Sequence, residues 1–189
     1  MTRMTDVISE KKMPGSSDRL GRAFLLAVFS PTVALLAVAI IVAVTYASNN
    51  SVSEYEKQAI EVVSMQNDIT VRWNETVDTF NDTIVFSQGE HVTLFTLSLG
   101  SVHDLITDSQ AVINRWKEID VPDEHLSSYL LGLEALMAMQ DGLILFEEYF
   151  QNSLDTLVAD QIRAATAEAK LVHAAELWQA AADAAAIEG

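Results

Sequence analysis

A long apolar segment near the N-terminus constrains this chain more than any other feature. From Ala23 to Ala47 there are 25 residues without a single Asp, Glu, Lys or Arg. A helix of that length, at about 1.5 Å per residue, measures about 37 Å, which exceeds the roughly 30 Å hydrocarbon core of a bilayer. A cleaved export signal has a shorter apolar region, of about 7–15 residues. The segment therefore predicts a retained signal anchor that contacts the lipid bilayer through residues 23–47.

The charges on either side of this segment indicate its orientation. Residues 1–22 carry five basic and three acidic residues (+2), whereas residues 48–189 carry six basic and 24 acidic residues (−18). Basic flanks stay on the cytoplasmic side of a membrane helix. We therefore expect a single-pass cell-membrane protein with a short, disordered cytoplasmic tail at 1–22 and an extracytoplasmic domain at 48–189.

Pro31 lies in the first third of the predicted membrane helix. It could act as a kink or a hinge, or it could be a tolerated membrane proline, because neighbouring groups can satisfy the carbonyl that a proline frees. We favour the tolerated kink. No ionisable residue lies inside the span, so nothing in it indicates an ion or proton path.

The acidic surplus and the absence of cysteine exclude several functions. A −18 domain repels nucleic-acid phosphates, so nucleic-acid binding is not expected. Without cysteine there can be no disulfide, thiolate metal site or thiol nucleophile. The charge itself has two interpretations: a well-solvated surface, or a face that attracts cations or a basic partner.

After residue 50 the apolar residues adopt helical spacing. Two segments alternate steps of three and four residues, which is the pattern of a heptad seam. The first seam is Tyr55, Ala59, Val62, Gln66, Ile69, Trp73, Thr76 and Phe80, and the second is Val92, Phe95, Leu99, Val102, Ile106, Ser109, Ile113 and Trp116.

Two further helices are predicted after Pro122. The inner face of the third is assigned to Leu126, Tyr129 or Leu130, Leu133, Met137, Ile144, Glu147 and Phe150, and that of the fourth to Val158, Ile162, Ala165, Ala169 and Val172, with Leu171, Ala175 and Trp178 beside it. The approximate helices are 51–87, 90–118, 122–151 and 154–186. Because long helices with short loops pack against their neighbours in the chain, the expected fold is all-α: one N-terminal transmembrane helix followed by an antiparallel up-down four-helix bundle.

Three polar residues fall on the seams: Gln66, Thr76 and Ser109. They either form a polar layer that fixes the helix register or line a small ligand cavity between helices. The four histidines lack the spacings of zinc or di-iron sites and are expected at the surface, and no nucleophile or phosphate-binding motif appears. No catalytic residue, metal ligand or cofactor is therefore predicted.

The sequence from Trp116 to Pro122 (WKEIDVP), followed by His125 and an apolar helix, resembles a pattern in small bacterial membrane-anchored envelope proteins with helical-bundle domains of unknown function. The expected topology is also similar to the periplasmic four-helix sensor modules of chemoreceptors and sensor kinases. The chain departs from those modules because no second membrane helix and no cytoplasmic output domain are apparent.

Two functions follow as hypotheses. The first is a non-enzymatic interaction or accessory module in the cell envelope, with a protein partner or a homo-oligomer. The alternative is an extracytoplasmic domain that binds a small ligand or a metal ion, as a sensor does.

Overall fold

The computed structural model describes residues 53–83 and 88–188. Within these ranges the chain consists of four long helices and a short 3-10 turn at Asp123–His125, without a strand. The helices are α1 (Glu54–Thr83), α2 (Gln88–Lys117), α3 (Leu126–Thr156) and α4 (Gln161–Glu188). The prediction of an all-α chain is confirmed for these residues. The predicted membrane helix 23–47, with Pro31, and the tail 1–22 lie outside them.

One described helical stretch, Asp123–Thr156, is long and apolar enough to cross a membrane by length and composition alone. The core helix of a water-soluble domain passes the same test. This stretch contains α3, which has twelve buried residues and packs against both α2 and α4.

Two hydrogen bonds between Ser53 and Glu56 stabilise the N-terminal end of α1. The Ser53 hydroxyl accepts a hydrogen bond from the Glu56 N–H (3.2 Å), while the Glu56 carboxylate accepts one from the Ser53 N–H (2.6 Å). This reciprocal pair is a capping box. The Ser53 backbone N–H, which donates to the Glu56 carboxylate, holds the pKa of Glu56 below its usual value, and the Ser53 hydroxyl near the carboxylate lowers it further. Ser53 is therefore the N-cap of α1, whose first helical residue is Glu54.

Other predicted boundaries shift by a few residues. Gly89 was expected between two helices and lies inside α2, which begins at Gln88. Asn152 and Ser153 were expected to form a turn, but α3 continues through them to Thr156 and ends at Leu157, which has a left-handed φ of 56°. The N-terminal cap of α4 is Asp160, whose carboxylate accepts the Arg163 N–H at 3.1 Å.

The first two helices bury the seams that their spacing predicts. In α1 the buried seam residues are Val62, Gln66, Ile69, Trp73 and Phe80, and in α2 they are Phe95, Val102, Ser109, Ile113 and Trp116. The start of α2, which contains the β-branched residues Val92, Thr93 and Thr96, is helical, as the seam predicts. Only Val92 at the beginning of the second seam is markedly exposed, at 44%.

The inner faces predicted for α3 and α4 are largely wrong. Met137 is 50% exposed and Ile144 37% exposed, whereas α3 buries small residues such as Gly132 and Gly142. In α4, Ile162 is 82% exposed. Leu171, Ala175 and Trp178, which were expected beside the inner stripe, are buried, and the other buried residues are Ala164, Ala167, Ala174 and Ala181.

Small residues at the contact between α3 and α4 explain why the buried faces differ from the predicted ones. A Cβ added at Gly142 would lie 2.6 Å from Leu171 Cδ2 and 3.3 Å from the Ala167 carbonyl oxygen. Helices α3 and α4 therefore approach so closely at this point that only glycine fits without movement. Small residues therefore lie where α3 meets α4. Leu136, Leu143 and Phe146 are also buried, whereas Met137 and Ile144 are left exposed.

Candidate functional site

The three predicted polar seam residues do not form one layer. Gln66 is 3% exposed and its side-chain amide donates to Met139 Sδ, while Ser109 is fully buried. Gln110, next to Ser109, accepts a hydrogen bond from Gln140, next to Met139, so Gln66 and Ser109 lie at the same level of α3. Thr76 lies ten residues beyond Gln66, about 15 Å further along α1.

Their surroundings differ as well. The Gln66 side-chain oxygen and the Ser109 hydroxyl are buried without a hydrogen-bond partner among the described residues. Thr76 is half-buried, donates its hydroxyl to the Arg72 carbonyl at 2.9 Å, and lines a groove of about 390 Å³ between α1 and α2. Of the three, Thr76 is therefore the one that contacts a surface cavity, and its alternatives of register layer and ligand cavity stay predictions.

A larger polar cleft lies where α2 and α3 meet the start of α4. Its volume is about 750 Å³, and its walls combine carboxylates with two other charged or chargeable groups. His103 Nδ1 lies 2.8 Å from a Glu147 carboxylate oxygen, and Arg163 donates to Glu148 at 3.0 Å. Asp104 and Asp155 add two further acids to the lining. The sequence reasoning missed this cleft because its residues come from three helices that only the fold brings together.

The chemistry available to this cleft is electrostatic. His103 is 70% exposed at its side chain, and the paired Glu148 and Arg163 side chains are also well solvated. Exposed pairs of this kind interact weakly and can exchange partners. The cleft can therefore hold a polar or cationic group, while no group of three or more His, Asp or Glu residues in the described ranges could hold a metal ion.

The four histidines differ in exposure, although all were expected at the surface. His103 and His173 are exposed, but His91 is only 6% exposed and His125 stacks on Tyr55 with ring centroids 4.8 Å apart. His91 and His125 therefore depart from the expected surface location.

A row of large apolar side chains lies on the outer surface of α3. We call Leu126, Leu130, Leu133, Met137 and Ile144 the α3 ridge. Four of these residues are 37–52% exposed and Leu133 is partly buried. Their steps of four, three, four and seven residues place them on one helix face. A row of exposed large apolar residues on one helix face is typical of a surface that another molecule covers.

The two sides of the α3 ridge are bounded by contacts to neighbouring helices. On one side Gln140 bonds Gln110 of α2, at 3.1 Å between side-chain atoms. On the other side Asp141 pairs with Lys170 of α4 at 3.4 Å and Glu148 pairs with Arg163. The ridge therefore points away from both neighbours.

The sequence does contain a signal for the α3 ridge. Gly132, Ala135, Ala138 and Gly142 recur at helical spacing, so α3 has two apolar faces, and only one of them contains these small residues. The sequence reasoning assigned the face without small residues to the interior. A preference for small residues where two helices pack closely would have reversed that assignment.

A scan against models of known protein families found no match to this chain, and neither did searches of curated proteins and of solved structures. The resemblance to membrane-anchored envelope bundles stays a prediction.

Proposed function

We propose that this protein is a non-enzymatic, single-pass membrane protein whose acidic extracytoplasmic helices act as an interaction module in the cell envelope. The α3 ridge carries this proposal. Folding does not require large apolar side chains on an outward face, since polar residues at those positions would leave the buried face of α3 unchanged. A binding surface provides a reason for them.

The module is proposed to be an antiparallel up-down four-helix bundle. Ion pairs join Glu61 to Arg115 and Asp108 to Arg72, so residue numbers rise along α1 as they fall along α2. The same relation holds for α3 and α4. These pairings support the up-down arrangement, and the apolar segment 23–47 supports a membrane anchor ahead of it.

Site-specific photo-crosslinking in intact cells tests the interaction. A photoreactive residue at position 137, on the α3 ridge, should give a discrete crosslinked species. The matched control is position 71 on α1, because Val71 is 49% exposed and Met137 is 50% exposed. Equal crosslinking at the two positions, or none at 137, would argue against an interaction surface on α3.

The membrane topology can be tested with single cysteines, since the natural chain has none. Ser101→Cys, at an exposed position of α2, should react with a membrane-impermeant maleimide in intact cells. Ser17→Cys, in the basic N-terminal segment, should react only after the membrane is permeabilised. The reverse pattern would refute the proposed orientation.

A second candidate function is supported by the polar cleft. Its volume of about 750 Å³ and its four carboxylates suit a small cationic ligand. Binding of such a ligand should raise the unfolding temperature of the protein, and Glu147→Gln should reduce that rise. If a panel of small cationic metabolites leaves the unfolding temperature unchanged, this candidate is removed.

A further inference from the structure

Three of the acidic residues of α3 follow residues of the α3 ridge at a fixed interval. Leu130, Met137 and Ile144 are seven residues apart, and Glu134, Asp141 and Glu148 each follow one of them by four residues. Residues at i and i+4 are neighbours on a helix surface. The exposed apolar row is therefore accompanied along its length by a parallel row of carboxylates.

No base on α3 balances these charges. From Leu126 to Thr156 the helix has five carboxylates and no Lys, Arg or His. Asp141 and Glu148 pair with Lys170 and Arg163 of α4, yet their side chains remain 58% and 50% exposed. They can therefore still attract a cation that approaches from outside.

The basic residues of the domain are already engaged by its own acids. Of the six bases between residues 48 and 189, five form ion pairs within the described helices: Lys57, Arg72, Arg115, Arg163 and Lys170. A second copy of this chain would bring another domain of net charge −18 and the same row of carboxylates, and an anionic lipid surface would also be repelled. Charge therefore favours a basic partner over self-association or anionic lipid.

We propose that the α3 ridge binds an amphipathic helix of another protein, with apolar residues in a three-four spacing and Lys or Arg at seven-residue intervals beside them. The apolar row of the partner covers the ridge, and its bases meet the row formed by Glu134, Asp141 and Glu148. This inference rests on the proposed function, for which it specifies the class of partner. It uses helix-on-helix packing, in which apolar seam residues give affinity and flanking charges select the partner.

Two designed peptides test the proposal with the full-length protein in phosphatidylcholine nanodiscs. Both have 21 residues with Leu at the seam positions of three heptads; one has Lys at the flanking positions and the other has Glu. We expect the Lys peptide to bind at least tenfold more tightly, measured by fluorescence anisotropy with empty nanodiscs as the blank. Raising the salt concentration should reduce this difference, because exposed charges are screened.

Variants of the protein separate binding at the ridge from general attraction to an acidic domain. Replacing two ridge residues, Leu130→Gln with Met137→Gln, should weaken the Lys peptide at least tenfold. The control Val71→Gln, at a similarly exposed apolar position on α1, should change its affinity less than twofold. Glu134→Gln with Asp141→Asn should weaken the Lys peptide several-fold and leave the Glu peptide no weaker.

Several results would overturn this partner assignment. Equal affinity for both peptides, or ridge variants that bind like the natural chain, would exclude a basic helix on the ridge. Sedimentation that shows a dimer abolished by Leu130→Gln with Met137→Gln would assign the ridge to a second copy, and insertion of the ridge into phosphatidylcholine vesicles would assign it to lipid. If the peptides fail but crosslinking at position 137 still gives a discrete species, the proposed function stands and only the partner chemistry is wrong.

Discussion

Two glycines in different surroundings allow a sharp test of the helix packing. Gly100 in α2 has open space where a Cβ would be, whereas a Cβ at Gly132 in α3 would lie 2.7 Å from Trp116 Cζ2. Alanine is favoured over glycine inside a helix by about 1 kcal/mol. The Gly100→Ala variant should therefore be more stable than the natural chain by about 0.5–1 kcal/mol.

Gly132→Ala should have the opposite effect. A separation of 2.7 Å is about 1 Å shorter than a favourable carbon–carbon contact. The Trp116 ring cannot easily move, because its N–H donates to the Tyr129 carbonyl at 3.1 Å and the ring packs between Tyr129 and Trp178. Overpacking in a core costs about 1–3 kcal/mol, which exceeds the gain in helix propensity. We expect Gly132→Ala to be less stable by about 1–2 kcal/mol.

The assay is urea unfolding of the full-length protein in a mild detergent, followed by circular dichroism. Trp116→Phe removes the part of the ring that contains Cζ2 and so relieves the overlap with the alanine Cβ at position 132. Its cost in unfolding free energy should therefore be at least about 1 kcal/mol smaller in the Gly132→Ala variant than in the natural chain. If Gly132→Ala stabilises the protein as much as Gly100→Ala does, the close contact between α2 and α3 at this point is refuted.

Three further predictions can be checked in the same unfolding assay. Ser109→Ala should leave stability unchanged or raise it by up to about 1 kcal/mol, because it removes a buried hydroxyl that has no partner in the described structure; a loss above about 1 kcal/mol would show that the hydroxyl is bonded. Ser53→Ala should cost about 1 kcal/mol through loss of the cap of α1, and Ser64→Ala, at an exposed position within that helix, should not; equal effects would contradict the capping box. Burial raises the pKa of Tyr149 above its usual value of 10.0, so on raising the pH the unfolded state loses this proton first. Stability should therefore fall above about pH 10, by at most about 1.4 kcal/mol per pH unit from this group. Tyr149→Phe should reduce that alkaline loss, and an unchanged pH profile would show that Tyr149 titrates normally.

The accuracy of the sequence predictions differed between the two halves of the helical region. In α1 and α2 the seam residues share one face, and exposed large apolar residues such as Val71 and Leu97 are scattered. Spacing alone therefore identified Ile69, Trp73, Val102 and Ile113 as buried. In α3 apolar residues occupy both faces, and spacing cannot choose between them. The choice depends on how closely α4 approaches, which is a property of two helices together.

The polar features show the same limit. Gln66 and Ser109 were identified because each interrupts an apolar seam, and both are buried. The polar cleft was missed because His103, Glu147 and Arg163 are far apart in the sequence and each looks like an ordinary surface charge. A pattern along one helix reveals which side chains face inward, but not which of the outward ones meet.

The residues on the buried and the exposed face of α3 require different explanations. Gly132 and Gly142 are explained by packing, because a Cβ at either position would overlap a buried neighbour. Leu130 and Met137 are not explained in this way, since each is about half exposed and a polar residue there would keep the same buried contacts. Exposed large apolar residues promote non-specific association, and charge repulsion between −18 domains prevents this only in part. Their regular spacing beside Glu134 and Asp141 is therefore better explained by a partner that covers them than by the requirements of the fold.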